Sequence, residues 1–304
     1  MTLVVSVPDD LARDLGPLPD GVEVIEWAMD AAAPRERIDL VVPPYMSAGE
    51  GLPLLAGVET RLVQGQSIGY DGVAEMLPPG IVFANATTVH ETSTAELAVA
   101  LVLAAQRHLD QFALDTRAGR WEQVFSPSLA DRRVLLLGYG GVGTAIASRL
   151  APFEVELVPV ASRAREEDGI HVHGIDELPA LLPEAEILVA SLPGGDATRH
   201  LIGDAELAAL PDGALVVNVG RGPVIDTDAL VRHTATGRLR AALDVTDPEP
   251  LPPGHPLWSS PGVLIAPHVG GASSAMRPRM AALIRRQIGH LLAGDEPENV
   301  VLRT

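Results

Sequence analysis

Three glycines near the middle of the chain have a spacing that suits phosphate binding. Gly138, Gly140 and Gly143 form the pattern G-x-G-x-x-G between the apolar run 134–137 and a stretch with apolar residues at helical spacing, 142–150. In such a turn the first glycine allows a sharp bend, the second lets a pyrophosphate approach the backbone, and the third lets the helix pack closely on the sheet. Glycine triplets also occur in ordinary tight turns. The preceding strand and the following helix favour a dinucleotide-binding turn over that alternative.

Three ionisable residues follow three successive apolar runs in the second half of the chain. These are Arg221, Glu249 and His268. Ligands of an open parallel sheet bind outside the carboxyl ends of its strands, so all three side chains are expected at one edge. Taken singly, they could be a loop Arg, a solvated turn Glu and a capping His. Together behind one dinucleotide turn, they predict a catalytic set beside the nicotinamide end of the cofactor.

The composition narrows the chemistry available to these residues. All 22 basic residues are Arg, which excludes Schiff-base lysines and Walker phosphate sites. The chain contains no Cys, which excludes thiol nucleophiles, disulfides and Cys-ligated metals. Catalysis therefore has to use His, Arg, carboxylates, hydroxyls or a cofactor. The net charge of −18 argues against a nucleic-acid partner.

We expect neither a membrane span nor a secretion signal. No uncharged apolar run reaches the roughly 18 residues of a spanning helix, and the start, MTLVVSVPDD, lacks the basic residues of a signal peptide. A cytoplasmic protein is the expectation. No metal is expected either: His171 and His173 could share one face of a strand as ligands, but no third ligand with suitable spacing is evident. His90 is interpreted as a packing or surface residue.

The positioning elements alternate between strands and helices, which predicts an α/β fold with two doubly wound sheets. Strands are predicted at 3–8, 22–27, 39–44, 61–66, 81–86, 134–137, 155–161, 186–192, 214–219, 241–245 and 263–266. Helices are predicted near 8–10, at 52–58, from about 92, and at 275–293. The helix that contains 97–105 is apolar on nearly every face, so it should be buried between domains or in an oligomer interface.

Longer motifs resemble those of the D-isomer-specific 2-hydroxyacid dehydrogenase family, which uses NAD(P). They are NVGRGPVID (218–226), DVTDPEPLPPGHPLW (244–258) and APHVGG (266–271), with weaker likeness in ELAVALVLAAQRHL, GRW and SLPGGDATRHLI. The resemblance implies a Rossmann cofactor domain, 94–279, inserted into a flavodoxin-like substrate domain formed by 1–93 and 280–304. It also implies a two-fold symmetric homodimer that pairs through the cofactor domains, with the helix 97–105 in its interface.

The resemblance implies a role for each ionisable residue in the reduction of a small 2-oxo acid, such as glyoxylate or hydroxypyruvate, to a D-2-hydroxy acid. Arg221 would hold the substrate carboxylate and polarise the 2-oxo group. His268 would donate a proton to the developing alkoxide. Glu249 would hydrogen-bond His268, favour its protonated form and fix its orientation.

The same resemblance implies the binding residues. Substrate would contact the backbone N–H groups of Ile68 and Gly69, Asn85, and Arg221. Asp244 matches the family position that contacts the nicotinamide carboxamide. The expected cofactor-binding residues are Gly138, Tyr139, Gly140, Gly141, Val142, Ser162, Arg163, Leu192, Pro193, Thr198, Val219, Asp244 and Gly270.

The residues at the end of strand 155–161, the second predicted strand of the cofactor domain, predict a preference for NADPH, with NADH also possible. Family members that use NAD usually carry an acidic residue there, whereas this chain has Ala161, Ser162 and Arg163. Arg163 and Arg165 could bind the 2′-phosphate. The alternative is an ordinary surface turn, in which the three acidic residues at 166–168 partly offset the two Arg.

Two other enzymes of this fold and one regulator are alternatives. Formate dehydrogenases have Gln where this chain has Glu249, and phosphite dehydrogenases have a Lys in the loop matched by 67–69. A dinucleotide-sensing corepressor that performs no catalysis is the third alternative. It is disfavoured because no peptide-docking extension or basic tail is evident.

Overall fold

The computed structural model describes residues 2–46 and 48–304 and divides the chain into two units. One unit consists of residues up to 90 together with 273–304, and the other consists of 91–272. Both divisions fall just before a helix begins. The boundaries predicted from the sequence, 93/94 and 279/280, instead lie inside those two helices, Glu91–Gln106 and Met276–Ala293.

The described residues contain strands and helices throughout both units. The strands are β1 (Leu3–Val7), β2 (Val22–Glu26), β3 (Leu40–Val41), β4 (Leu62–Gln64), β5 (Val82–Ala84), β6 (Arg133–Leu137), β7 (Glu156–Ala161), β8 (Arg165–Glu167), β9 (Ile170–Gly174), β10 (Ile187–Ala190), β11 (Leu215–Asn218), β12 (Arg240–Leu243), β13 (Val263–Ile265) and β14 (Val300–Arg303). The helices are α1 (Asp9–Ala12), α2 (Ala48–Gly51), α3 (Val73–Met76), α4 (Glu91–Gln106), α5 (Leu109–Ala118), α6 (Gly141–Leu150), α7 (Leu178–Leu181), α8 (Asp204–Ala209), α9 (Thr227–Ala235) and α10 (Met276–Ala293). Short 3-10 helices lie at Arg13–Leu15, Leu52–Leu55, Ala151–Phe153, Ile175–Glu177, Leu182–Glu184, Gly222–Val224 and Pro256–Trp258.

The first unit is a six-stranded sheet in the order β14-β5-β4-β3-β1-β2. The five strands β2-β1-β3-β4-β5 are parallel and have the flavodoxin-like order, whereas β14 is antiparallel to β5. Apolar side chains of α10 pack on one face with those of β1 and β3. The buried strands have apolar residues on both faces, as expected of a parallel sheet between two layers.

The second unit is an eight-stranded sheet in the order β13-β12-β11-β10-β6-β7-β9-β8. All its neighbouring strands are parallel except β8 and β9. The order reverses at β6, where one half of the sheet continues to β7 and the other to β10. This reversal is the Rossmann switch point, next to which dinucleotides bind. The predicted fold class is therefore confirmed.

The strands predicted from the sequence do not include β8, β9 or β14. Strand β8 has the sequence Arg-Glu-Glu and no apolar residue, and β14 is a short strand at the edge of its sheet. The predicted helix over 52–58 is a 3-10 helix that ends at Leu55 and contains Pro53. Within the described residues, no helix combines the length and the apolar character needed to cross a membrane.

Helix α4 is mostly buried inside its own unit. It packs against α6, β11 and β12, and its apolar side chains belong to the same core as those of β6 and β10. Most of its apolar surface therefore has an intramolecular partner, and only a few positions such as Ala100 are exposed. The large exposed apolar side chains of this region lie further along the chain, at Leu109, Leu114, Trp121, Val124 and Phe125.

Candidate active site

The glycine-rich turn joins β6 to the N terminus of α6. Gly138 has a φ of 97°, in the left-handed region, and Gly140 precedes the helix in extended backbone. A Cβ at Gly143 would lie only 1.9 Å from the carbonyl oxygen of Gly138, so no other residue fits there without moving the backbone. The close contact between the turn and the first helical turn follows directly from the absence of that side chain.

This turn has room and donors for the pyrophosphate of a dinucleotide. A Cβ at Gly140 would meet no atom within 4 Å, so the space beside this backbone is open. The N-cap residue of α6, Gly140, has no side chain that could bond the first N–H groups of the helix. The first N–H groups of a helix have no partner inside it, and they carry the positive end of the helix dipole. The residues present therefore fit the phosphate groups of NAD(P).

The end of β7 is where Ser162 and Arg163 lie, both of them exposed. Within residues 2–46 and 48–304, no hydrogen bond or ion pair involves the Arg163 side chain. Arg165 is different, because its Nε donates to Glu167 Oε2 at 2.7 Å and its guanidinium donates to the carbonyl of Tyr139 at 2.9 Å. Of the two Arg expected near a 2′-phosphate, only Arg163 is left with a guanidinium available for a ligand.

The loops after β10 and β11 pack closely against each other. A Cβ at Gly220 would lie 2.4 Å from the carbonyl oxygen of Leu192, and the preceding residue, Val219, is buried. Thr198 donates its hydroxyl to the carbonyl of Pro193 at 2.8 Å. Four of the predicted cofactor-binding residues thus lie on two adjoining loops at the carboxyl edge of the sheet.

Arg221 occupies the turn directly after β11 and is half-buried. The side chain of Asn218 shapes this turn, because its Nδ2 donates to the carbonyl of Arg221 at 2.9 Å and its Oδ1 accepts from the N–H of Gly220 at 3.0 Å. Arg221 also donates to the carbonyl of Gly220 at 2.9 Å. Sequence reasoning missed Asn218, although its position at a strand end was a signal for a turn-forming residue.

Glu249 and His268 are in direct contact. His268 Nδ1 hydrogen-bonds Glu249 Oε1, and both side chains remain partly exposed. They follow β12 and β13, which are neighbouring parallel strands, so their loops lie at the same edge of the sheet. The φ of His268 is 52°, an uncommon value for a residue with a side chain. A carboxylate held on one imidazole nitrogen fixes the ring and leaves the other nitrogen for a proton transfer.

Asp244 holds the loop that carries His268. Its two carboxylate oxygens accept the N–H groups of Val269, at 2.7 Å, and Gly270, at 2.9 Å. Burial raises the pKa of the Asp244 carboxyl above its ordinary value, and these two N–H donors oppose the shift. A Cβ at Gly270 would lie 2.8 Å from Asp244 Oδ2, which explains the glycine at that position. This positioning contact was not foreseen from the sequence.

The predicted substrate loop lies in the first unit, after β4. Asn85 is buried and donates its Nδ2 to the carbonyl of Ile68 at 2.8 Å. In the part of the chain that the structure describes, the N–H groups of Ile68 and Gly69 have no hydrogen-bond acceptor. They are therefore free to bind an anionic ligand. Asn85 contributes by holding this loop in place.

His90 is a buried packing residue that supports the same loop. It is 4% exposed, stacks on Tyr45 with ring centroids 5.6 Å apart, and its Nε2 lies 2.6 Å from the carbonyl oxygen of Gln66. Gln66 in turn donates to the carbonyl of Pro43 at 2.9 Å. These contacts hold the chain immediately before Ile68.

The expectation that His171 and His173 have no third potential ligand is wrong. The 3-10 helix after β9 brings the Glu177 carboxylate back toward them, and the potential ligand atoms of the three residues lie within 4.8 Å of one another. The sequence signal was the acidic residue four positions after His173, which is within reach only when the intervening chain forms a helical turn.

The chain is similar to known proteins in sequence and in fold. Residues 99–270 match the family model for the NAD binding domain of D-isomer specific 2-hydroxyacid dehydrogenases. A glyoxylate reductase of Korarchaeum cryptofilum is 31% identical over 304 residues, which cover 96% of this chain and 89% of that protein. A glyoxylate/hydroxypyruvate reductase B of Pectobacterium carotovorum subsp. carotovorum is 34% identical over 248 residues, 77% of each chain.

A solved structure is similar over the whole length. It is a D-isomer specific 2-hydroxyacid dehydrogenase from Xanthobacter autotrophicus Py2 in complex with NADPH and MES, which superposes with a TM-score of 0.84 at 28% identity. The match covers 100% of this chain and 99% of that one. Because the family match includes both the glycine-rich turn and the loops that carry Arg221, Glu249 and His268, the chain belongs to the D-isomer specific 2-hydroxyacid dehydrogenases and is an NAD(P)-dependent oxidoreductase.

Proposed function

We propose that this enzyme reduces a small 2-oxo acid of the glyoxylate or hydroxypyruvate type to the D-2-hydroxy acid, with NADPH as the preferred cofactor. The observation that carries the proposal is the contact between Glu249 and His268. These residues follow β12 and β13, and β12 is the neighbour of β11, the strand that Arg221 follows. The names of the two relatives, glyoxylate reductase and glyoxylate/hydroxypyruvate reductase B, support this substrate class.

The proposed roles follow from the chemistry of each side chain. Bound NADPH supplies the hydride. Arg221 presents a planar set of N–H donors that matches a carboxylate and also withdraws electron density from the neighbouring 2-oxo oxygen. His268 donates a proton to that oxygen as it becomes an alkoxide. Glu249 orients the ring and stabilises its positive charge, while Asp244 holds the loop on which His268 lies.

The free N–H groups of Ile68 and Gly69 are proposed to bind the substrate carboxylate. Two backbone donors on a loop held by Asn85 and His90 would need little reordering when the anion binds. Because these contacts are made with the backbone, substitutions at Ile68 should affect the choice of substrate side chain more than carboxylate binding.

Steady-state kinetics with a panel of 2-oxo acids and both reduced cofactors tests the proposed reaction. Arg221→Gln should raise KM and lower kcat, and Arg221→Lys should restore little, because Lys supplies charge without the planar donors. Arg232→Gln, at a surface ion pair with Asp204, is the matched control. Wild-type kcat/KM in Arg221→Gln contradicts the role of Arg221. NADPH binding without reduction of any 2-oxo acid in the panel would contradict the proposed substrate class.

The NADPH preference is proposed to depend on Arg163. Arg163→Ala should lower kcat/KM with NADPH by an amount equivalent to about 1.5–3 kcal/mol, the usual contribution of hydrogen bonds to charged groups, and leave NADH kinetics nearly unchanged. Arg117→Ala, at another exposed Arg, is the control. A wild-type preference for NADH would refute the proposal.

We also propose a two-fold homodimer, as the family resemblance suggests. The exposed apolar side chains between α5 and β6 support a second copy as the partner, since Trp121 is 98% and Phe125 103% exposed. Light scattering should return twice the mass of 31.9 kDa. Trp121→Ser with Phe125→Ser should give the monomer, and Trp258→Ser, at a less exposed Trp, should not. A wild-type monomer at micromolar concentration contradicts the proposal.

A further inference from the structure

The antiparallel hairpin of β8 and β9 has two histidines on its outer face. His171 and His173 alternate with Val172, whose side chain is fully buried, so both imidazoles point away from the core. Their rings lie edge to face with centroids 4.6 Å apart. Both rings are partly exposed, with 52% of the His171 side chain and 25% of the His173 side chain accessible. A dissolved ion can therefore reach them.

Two carboxylates surround this pair of rings. Glu177 Oε2 lies 2.8 Å from His173 Nδ1, and its Oε1 accepts the N–H of Gly174 at 2.8 Å, which holds the carboxylate toward the hairpin. Glu166 is opposite His171 in the β8–β9 register, and its Oε1 lies 2.7 Å from His171 Nδ1. The hairpin and the helical turn that follows it therefore place two imidazoles and two carboxylates at one position.

We propose that His171, His173 and Glu177 bind a divalent transition-metal ion of the Zn²⁺ type. Zn²⁺ accepts imidazole nitrogen at about 2.0–2.1 Å and carboxylate oxygen at about 2.0–2.2 Å, in a tetrahedron whose ligand atoms are roughly 3.4 Å apart. The three candidate ligand atoms already lie within 4.8 Å of one another. Rotation of exposed side chains can supply the remaining adjustment.

The ligand set determines the kind of ion. Two imidazoles with one carboxylate favour Zn²⁺, Ni²⁺ or Co²⁺ over Mg²⁺ and Ca²⁺, which prefer oxygen ligands. Glu166 acts on the site through His171, because a carboxylate that accepts an N–H from a ligating imidazole orients the ring and raises its basicity. Three protein ligands leave one tetrahedral position for water.

Isothermal titration of the untagged full-length chain with ZnCl₂, in a buffer that does not chelate, tests the site. The wild type should bind one equivalent, and His173→Ala or Glu177→Gln should weaken binding at least tenfold. His290→Ala, at a histidine outside the cluster, should bind as the wild type does. Metal-free thermal unfolding shows whether each variant is folded. The wild type and His290→Ala should gain thermal stability on addition of Zn²⁺, whereas His173→Ala and Glu177→Gln should gain less.

A His268→Gln variant separates this site from the Glu249–His268 pair. If Zn²⁺ binds at the hairpin, His268→Gln should keep the full stoichiometry and affinity. Loss of binding in that variant would place the ion at Glu249 and His268 and overturn the proposal. Absence of saturable binding in the wild type, or unchanged binding in a His171→Ala, His173→Ala double variant, would overturn it as well. Visible absorption of the Co²⁺-loaded chain, lost in the same double variant, should confirm the imidazole ligands.

Discussion

The glycine-rich turn yields two matched substitutions with opposite expected outcomes. Gly143→Ala places a methyl group 1.9 Å from the Gly138 carbonyl oxygen, whereas Gly140→Ala places one where no atom lies within 4 Å. Gly143→Ala should therefore destabilise the fold, and Gly140→Ala should leave it intact. Only the second space is the one that the cofactor pyrophosphate is expected to approach. The pair thus separates a packing role from a binding role.

The magnitude of the Gly143 effect follows from this distance. An ordinary carbon–oxygen contact needs at least about 3 Å, so two backbone segments have to separate by roughly 1 Å or more. Overpacking typically costs about 1–3 kcal/mol, and a backbone clash lies at the upper end. The helical preference for Ala over Gly returns about 1 kcal/mol. The net loss is about 2 kcal/mol, or a fall in Tm of roughly 4–8 °C.

Gly140→Ala should behave differently in both measurements. The φ of Gly140 is −104°, which Ala adopts readily, so stability should stay the same or rise by about 0.4–1 kcal/mol. The NADPH dissociation constant should increase at least tenfold, about 1.4 kcal/mol, because the methyl group occupies the phosphate approach. Thermal unfolding without cofactor and fluorescence titration with NADPH measure the two effects. Unchanged NADPH affinity in Gly140→Ala, or unchanged stability in Gly143→Ala, refutes the reasoning.

Two further predictions concern charged pairs. Glu249→Gln and His268→Gln should each lower kcat/KM for 2-oxo acid reduction. Because Glu249 acts through His268, the double variant should lose little more activity than His268→Gln alone. Additive losses in steady-state kinetics would contradict this coupling. The Arg120 guanidinium, with help from Gln111, holds the pKa of Asp115 below its ordinary value, so this ion pair stabilises the fold above about pH 4 and loses its effect as the pH falls through the lowered pKa. Asp115→Asn should accordingly reduce the urea midpoint at about pH 7 and approach the wild type in acid, and a difference independent of pH would disprove it.

Much of the fold was predictable because its signals are local. Apolar runs separated by Gly, Pro and Asp marked eleven strands at the positions where the structure has β1–β7 and β10–β13. Strands β8 and β9 form a hairpin at one edge of their sheet, and β14 is an edge strand, where burial does not demand an apolar pattern. Their pairing depends on contacts with distant segments, which no local window contains.

The candidate site divides in the same way. The sequence predicts the dinucleotide turn from the glycine spacing. It also predicts that three side chains lie together, because the carboxyl ends of parallel strands meet at one edge of a sheet; these are Arg221, Glu249 and His268. The hydrogen bonds from the N–H groups of Val269 and Gly270 to the Asp244 carboxylate could not be predicted, because these residues lie 25 and 26 positions away along the chain.

Residue types and their spacing therefore identify the family, the dinucleotide turn and the set of ionisable side chains, since these depend on backbone geometry that repeats along the chain. The tertiary structure decides which of these side chains meet. In the folded chain the Arg165 side chain donates hydrogen bonds to Glu167 and to the carbonyl of Tyr139, whereas Arg163 remains available for a ligand. The Glu177 carboxylate lies within hydrogen-bond distance of His173. The reason is physical: hydrogen bonds act over about 3 Å, and only the packed fold determines which polar atoms come that close.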